Sequence, residues 1–169
     1  MEGFSLNWHF AAHESQLSGK SAIELRHLES LLGEPMMLVS GDEIRCISNV
    51  CTHRGMLLVD GSCYRTTLQC PYHGRTFGLD GSMKSMPEFD LVEGFPAAED
   101  DLRTFPTTSW KGLIFTGLQP SGMEACLGEM ESRVGWMPIE KFEYDNSRNR
   151  CYEIRANWAL YVDNYLEGF

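Results

Sequence analysis

The sequence is short of long hydrophobic runs: no apolar stretch approaches the roughly 20 residues that cross a bilayer, so no membrane association is expected. It is also short of positive charge. Fourteen Lys and Arg stand against 24 Asp and Glu, a formal net charge of −10. Nucleic acid is therefore not an expected partner, because cationic contacts to phosphate supply most of that affinity. The N-terminus, MEGFSLNWHF, has no basic region followed by an apolar one, so it does not read as an export signal. Without export, the six cysteines (Cys46, Cys51, Cys63, Cys70, Cys126 and Cys151) are expected as free or metal-bound thiols in a reducing cytoplasm. There is no internal repeat, no low-complexity segment, and neither G-x-G-x-x-G nor G-x-S-x-G. Ser18-Gly19-Lys20-Ser21 imitates the end of a P-loop, but Glu14 stands where its earlier glycine is required.

What is present is a globular composition, 43% hydrophobic and 11% aromatic. Between residues 22 and 32, Ile23, Leu25, Leu28, Leu31 and Leu32 recur at roughly helical spacing; a short helix is preferred there over irregular structure. Two apolar runs, 35–40 and 43–47, flank Gly41-Asp42 and predict a hairpin. Short strands are predicted at 68–70, 76–79 and 112–116, among closely spaced turn signals, as in a small antiparallel β domain. Ser121-x-x-Glu124 matches a capping box, and Met123, Leu127, Met130 and Val134 then mark one core-facing side of a helix. A turn at 145–147, a strand over 150–156 and a helix from Trp158 capped by Asn157 complete the chain. Trp158, Tyr161, Tyr165 and Phe169 share one face of that last helix.

The chemistry is concentrated in CTHRG (51–55) and CPYHG (70–74). Each offers one thiolate and one imidazole, Cys51 with His53 and Cys70 with His73, beside Gly55 and Gly74. Two such loops can clamp a metal centre from both sides. A Cys2His2 set suits tetrahedral zinc, and a structural zinc module is one reading; zinc sites, however, usually pair Cys with Cys and His with His along the chain. A 2Fe–2S centre in which two His replace two Cys on one iron is the other reading, and the mixed loops favour it. In such a centre two ferric irons, two sulfides and two thiolates sum to zero charge. An added electron is easier to accept there than on a four-Cys cluster, and it raises the imidazole pKa values, coupling electron to proton uptake.

The two motifs resemble the signatures of Rieske-type non-haem iron oxygenases, the large-subunit family of ring-hydroxylating oxygenases. The resemblance implies that Cys51 and Cys70 bind one iron of a Rieske 2Fe–2S cluster and His53 and His73 the other. It separates the chain from Rieske proteins of cytochrome bc complexes, whose extra loop cysteines are replaced here by Met56 and Tyr72. One departure is Arg75, where the family often has Trp. Arg54 and Arg75 are either solvated surface residues or a basic collar that docks an acidic electron donor or steadies the reduced cluster.

The tail NWALYVDNYLEGF (157–169) resembles the opening of that family's catalytic domain. Asn164 and Glu167, three apart, share a helix face. The resemblance makes Glu167 the bridging carboxylate, linking a Rieske histidine that matches His73 to an iron-ligand histidine, with the cooperating Rieske domain and catalytic site on neighbouring subunits of a homotrimer. The first histidine of the mononuclear Fe(II) site, a site of two His and one carboxylate, would follow Phe169. His9, His13 and His27 are read as ordinary structural residues.

The fold expected is thus mainly β: a Rieske-type antiparallel domain with a few short helices over residues 1–140, then the incomplete start of an α+β catalytic domain over 141–169. The function expected is the electron-transfer part of a mono- or dioxygenase large subunit. It would take single electrons from a ferredoxin or flavin reductase, and the parent would act on a small organic substrate. The chain by itself is expected to bind the cluster without oxygenating anything. A stand-alone Rieske ferredoxin is the rival, with no need for the tail.

Overall fold

Four consecutive side chains, Met36 to Val39, are almost completely shielded from solvent. A strand that faced water on one side would alternate. One that does not must be covered on both faces. The computed structural model, which describes residues 2–89 and 91–167, shows how. These residues form β3 (Met36–Ser40), the middle of a five-stranded antiparallel sheet. It is flanked by β2 (Ala22–Glu24) and β4 (Ile44–Ser48), with β5 (Ser62–Cys63) and β9 (Thr104–Phe105) at the edges.

The two faces of this sheet feed separate cores. Met37 and Val39, with Ala22 and Ile47, pack into a core that also contains Cys51, Cys70, Leu68 and Phe77. That core is shared with a second, three-stranded sheet of β6 (Thr67–Gln69), β7 (Thr76–Gly78) and β8 (Met83–Ser85). Met36 and Leu38, with Ile23 and Cys46, face the other way. They meet Leu28 of α2 (Arg26–Leu32) and Ala11, Ala12 and Ile114 of a third sheet, formed by β1 (His9–His13), β10 (Thr107–Trp110) and β11 (Leu113–Thr116). A short helix, α1 (Glu2–Ser5), precedes β1.

Most of the expected elements are present. The hairpin around Gly41-Asp42 is β3–β4, with Ser40 opposite Ile44. The strands expected at 68–70, 76–79 and 112–116 are β6, β7 and β11. The segment 22–32 is part strand and part helix: Ala22 and Ile23 pair with both β3 and β5, and the helix starts only at Arg26. Sheet pairing overrides the helical spacing of the leucines there. The P-loop look-alike at 18–21 leads into strand β2, not into a helix.

Three expectations fail in the second half. The helix α3 (Met123–Val134) forms, but Ser121 does not cap it; the cap position is Gly122 in the left-handed conformation, with no side-chain bond. The predicted face (Met123, Leu127, Met130, Val134) is the half-buried one, yet no residue of α3 is fully buried, so the helix lies on the surface instead of facing the core. The strand expected over 150–156 is absent: these residues are exposed and pair with no other strand. An alternating pattern specifies a strand only where a neighbouring edge is there to receive it. The turn at 145–147 is made by Asp145, which accepts from Ser147 N–H at 2.9 Å. Asn157 caps α4 (Trp158–Leu166) as expected, accepting from Ala159 N–H at 2.9 Å. Trp158, Tyr161 and Tyr165 of its aromatic face are exposed, and Phe169 lies outside the described residues. Among the described residues no helix is long and apolar enough to cross a membrane.

Candidate metal centre

The two ligand loops are built alike. Residues 51–56 are closed by an antiparallel bridge between Val50 and Leu57, and residues 70–75 by the β6–β7 pair Gln69–Thr76. In the first, Cys51 N–H donates to Met56 C=O at 2.8 Å and Gly55 N–H to Cys51 C=O at 3.0 Å. In the second, Cys70 N–H donates to Arg75 C=O at 2.8 Å and Gly74 N–H to Cys70 C=O at 3.0 Å. The fifth residue of each loop must turn into the left-handed region, φ +70° at Gly55 and +76° at Gly74, which is why glycine stands at both. Asn49 anchors the base of the first loop from within the core. Its Nδ2 donates to Val59 C=O at 2.8 Å, and its Oδ1 accepts from Val59 N–H at 2.9 Å.

The loops bring the four predicted donors together as two pairs. Cys51 and Cys70 are 2% and 3% exposed and point into the core. Burial raises the Cys51 pKa; the N–H groups of His53 and Arg54, donating toward its sulfur, lower it, and the neighbouring Cys70 thiol raises it again. The imidazoles of His53 and His73 lie at the half-buried outer edge, with ring centroids 4.9 Å apart. Burial lowers the His53 pKa, and the neighbouring His73, Arg54 and Arg75 lower it further, a shift toward the neutral form that a metal requires. His73 Nδ1 is buried without a hydrogen-bond partner. The exposed Tyr72 ring stacks on His73 at 3.7 Å.

This donor set fits a two-iron cluster. Among the described residues no three His, Cys, Asp or Glu side chains converge as a single-ion site. A thiol pair and an imidazole pair suit two irons, whereas one tetrahedral zinc needs four donors around one point.

The two arginines part company. Arg54 is exposed, as a surface residue or a collar would be. Arg75 is only 6% exposed, which corrects its reading as solvated or as part of a docking collar. Its Nη1 donates to Thr52 Oγ1 at 2.7 Å, and its Nη2 lies 3.0 Å from Asp100 Oδ1. The guanidinium also lies 5.6 Å from the Phe95 ring centre. Thr52, Asp100, Phe95 and Asn49 were not singled out in the sequence, since only the fold brings them to the ligand loops.

Asn164 and Glu167 are not brought to these loops. Both are exposed, Asn164 within α4 and Glu167 at its C-terminal cap. Of the remaining histidines, the ring nitrogens of His9 and His27 bond the carbonyls of Phe4 and Phe10, and His13 bonds Ser15.

The family model described as the Rieske [2Fe-2S] domain matches residues 7–96, more than half of the chain and both loops. The chain belongs to the Rieske family. Rieske domains bind a 2Fe–2S cluster, and this one does so within the mostly antiparallel fold expected of it. The Rieske chain is similar to the carnitine monooxygenase oxygenase subunit of Acinetobacter pittii, 30% identical over 98% of this chain and 45% of that protein. It is equally similar to the chloroplastic choline monooxygenase of Amaranthus tricolor, 30% identical over 98% of this chain and 38% of that protein. Among solved structures, a quaternary ammonium Rieske monooxygenase aligns with a TM-score of 0.80 at 29% identity, over 98% of this chain and 47% of its own. A naphthalene 1,2-dioxygenase shares the fold, with a TM-score of 0.64 at 24% identity over 76% of this chain and 30% of its own. The chain therefore spans less than half the length of these relatives.

Proposed function

We propose that Cys51 and Cys70 hold one iron of the Rieske cluster and His53 and His73 the other, and that the chain is the electron-transfer part of an oxygenase large subunit. One observation carries the oxygenase reading. The family match ends at residue 96, yet the similarity to oxygenase subunits runs over 98% of the chain, through α3, α4 and the tail. A stand-alone electron carrier has no need of those residues.

The bound cluster supplies a one-electron couple. The chain's own residues make it usable. The buried thiolates of Cys51 and Cys70 fix one side in the core, and the amides of His53 and Arg54 aim positive dipoles at the Cys51 sulfur. His53 and His73 hold the other side at the half-buried outer edge, where an electron donor or acceptor can approach. Donors of the ferredoxin or flavin-reductase kind fit this exposed edge.

In this account residues 1–140 are the Rieske domain and residues from 141 begin a catalytic domain around a mononuclear Fe(II). Glu167 then bridges the His73 of a neighbouring subunit to an iron-ligand histidine in a homotrimer, with Asn164 on the same face of α4. The exposure of both residues supports this, since each is free to meet another subunit. The substrate is a small organic molecule, and the relatives named for carnitine and choline favour a quaternary ammonium compound. None of the six cysteines is in a disulfide, which fits a cytoplasmic setting.

The test uses the complete gene product, loaded with iron and supplied with a flavin reductase and reduced nicotinamide. Oxygen uptake that depends on a trimethylammonium compound, lost in Glu167→Gln while the cluster signal persists, is the expected result. A cluster that is reduced and reoxidised with no substrate-dependent oxygen uptake would show an electron carrier instead.

A further inference from the structure

Arg75 closes the second ligand loop and reaches across to the first. It lies two residues beyond His73, and its partner Thr52 sits between Cys51 and His53. Thr52 Oγ1 in turn donates to the backbone carbonyl of Asp100 at 2.8 Å, while the Asp100 carboxylate faces the Arg75 guanidinium at 3.0 Å. Thr52, Arg75 and Asp100 thus form a closed ring of contacts that ties both ligand loops to the turn at 98–100. The planar guanidinium reaches two partners at once in fixed directions, which the point charge of a lysine does not. The Arg75 side chain is 7% exposed and that of Asp100 23%, so neither charge is well screened by solvent or salt.

We propose that Arg75 is a positioning residue for the cluster, fastening the two ligand loops to each other, and that its buried charge, opposed by Asp100, sets the reduction potential. This rests on the assignment of Cys51, His53, Cys70 and His73 as ligands. Reduction adds a negative charge to the cluster. A positive charge beside it favours the reduced state and a negative one the oxidised state. Although Arg75 and Asp100 hold each other, removing their charges must move the potential in opposite directions. A clamp with no electrostatic role does not produce that pattern.

The experiment measures the midpoint potential of the cluster-loaded chain, with iron and acid-labile sulfide content, in Arg75→Gln, Arg75→Lys and Asp100→Asn. Arg75→Gln should lower the potential, shifting the one-electron equilibrium by roughly tenfold, or about 59 mV. Asp100→Asn should raise it by a comparable factor. Arg75→Lys should stay close to the parent in potential but lose iron to a chelator several-fold faster. Shifts in the same direction for Arg75→Gln and Asp100→Asn, or no shift with iron and sulfide intact, would overturn the electrostatic role. Equal iron loss from Arg75→Lys and the parent would overturn the fastening role. Should Arg75→Gln fail to hold a cluster, Asp100→Asn decides the sign: an unchanged or lowered potential overturns the proposal. A parent chain without labile sulfide refutes the ligand assignment itself, a result readable before any variant is made.

Discussion

The rings of His53 and His73 stand 4.9 Å apart, inclined at 61°, at the outer edge of the two loops, while their companion cysteines are sealed in the core. The pair of loops is therefore polarised, with cysteine sulfurs inward and imidazoles outward. Replacing an imidazole by a thiolate adds a negative charge at that edge. Cys in place of His73 should yield a cluster of markedly lower potential, toward the range of four-Cys ferredoxins. Spectroelectrochemical titration checks this, and an unchanged potential would place the iron elsewhere.

The two loop glycines should differ in tolerance. Both have positive φ, a conformation costing a side chain about 1–2 kcal/mol. A Cβ on Gly74 would also lie 3.0 Å from Pro87 Cγ, whereas one on Gly55 meets nothing closer than Val50 at 4.0 Å. Gly74→Ala should destabilise the chain more than Gly55→Ala in urea unfolding. Equal losses would contradict the tighter packing of the second loop.

Asn49 is fully buried and satisfies both backbone groups of Val59. Asn49→Ala leaves that N–H and C=O without partners, each at a cost of about 1–3 kcal/mol. A loss of roughly 2 kcal/mol or more is expected in urea unfolding, with faster amide exchange at Val59. A variant as stable as the parent would show that the first loop is not held from its base.

The cysteines outside the centre should separate by reactivity. Burial pushes the Cys46 thiol up to about 12, while Cys126 and Cys151 are exposed. At pH 8 a disulfide reagent should titrate Cys126 and Cys151 rapidly and Cys46 only after unfolding. The sign for stability follows. The folded chain keeps the Cys46 proton that the unfolded chain releases near 9.0, so its contribution is full below that pH and is lost on the way to about 12. Cys46→Val should flatten the alkaline fall in stability; an unchanged slope would contradict the assignment.

The two candidate ligand loops are legible because the identity and spacing of their residues are local: Cys51, His53, Cys70 and His73 announce paired loops wherever they sit. The hairpin at Gly41-Asp42 and the Asn157 cap were legible for the same reason. The helical spacing at Ala22 and Ile23 misleads because the strand they form depends on β3 and β5, one of them nearly forty residues away. The burial of Arg75 was hidden for a like reason, since Thr52 and Asp100, 23 and 25 residues distant in sequence, supply its partners. The alternation at 150–156 found no neighbouring edge. Patterning states what a segment can do, and the contacts decide whether it does.

The most direct test of the central claim is low-temperature electron paramagnetic resonance of the dithionite-reduced chain, with iron and sulfide analysis of the same sample. A rhombic signal with average g below the free-electron value, accompanied by two irons and two sulfides per chain and abolished in His53→Ala and His73→Ala, is the predicted result. A silent sample holding one zinc and no sulfide would contradict it and leave the two loops as a structural metal clip.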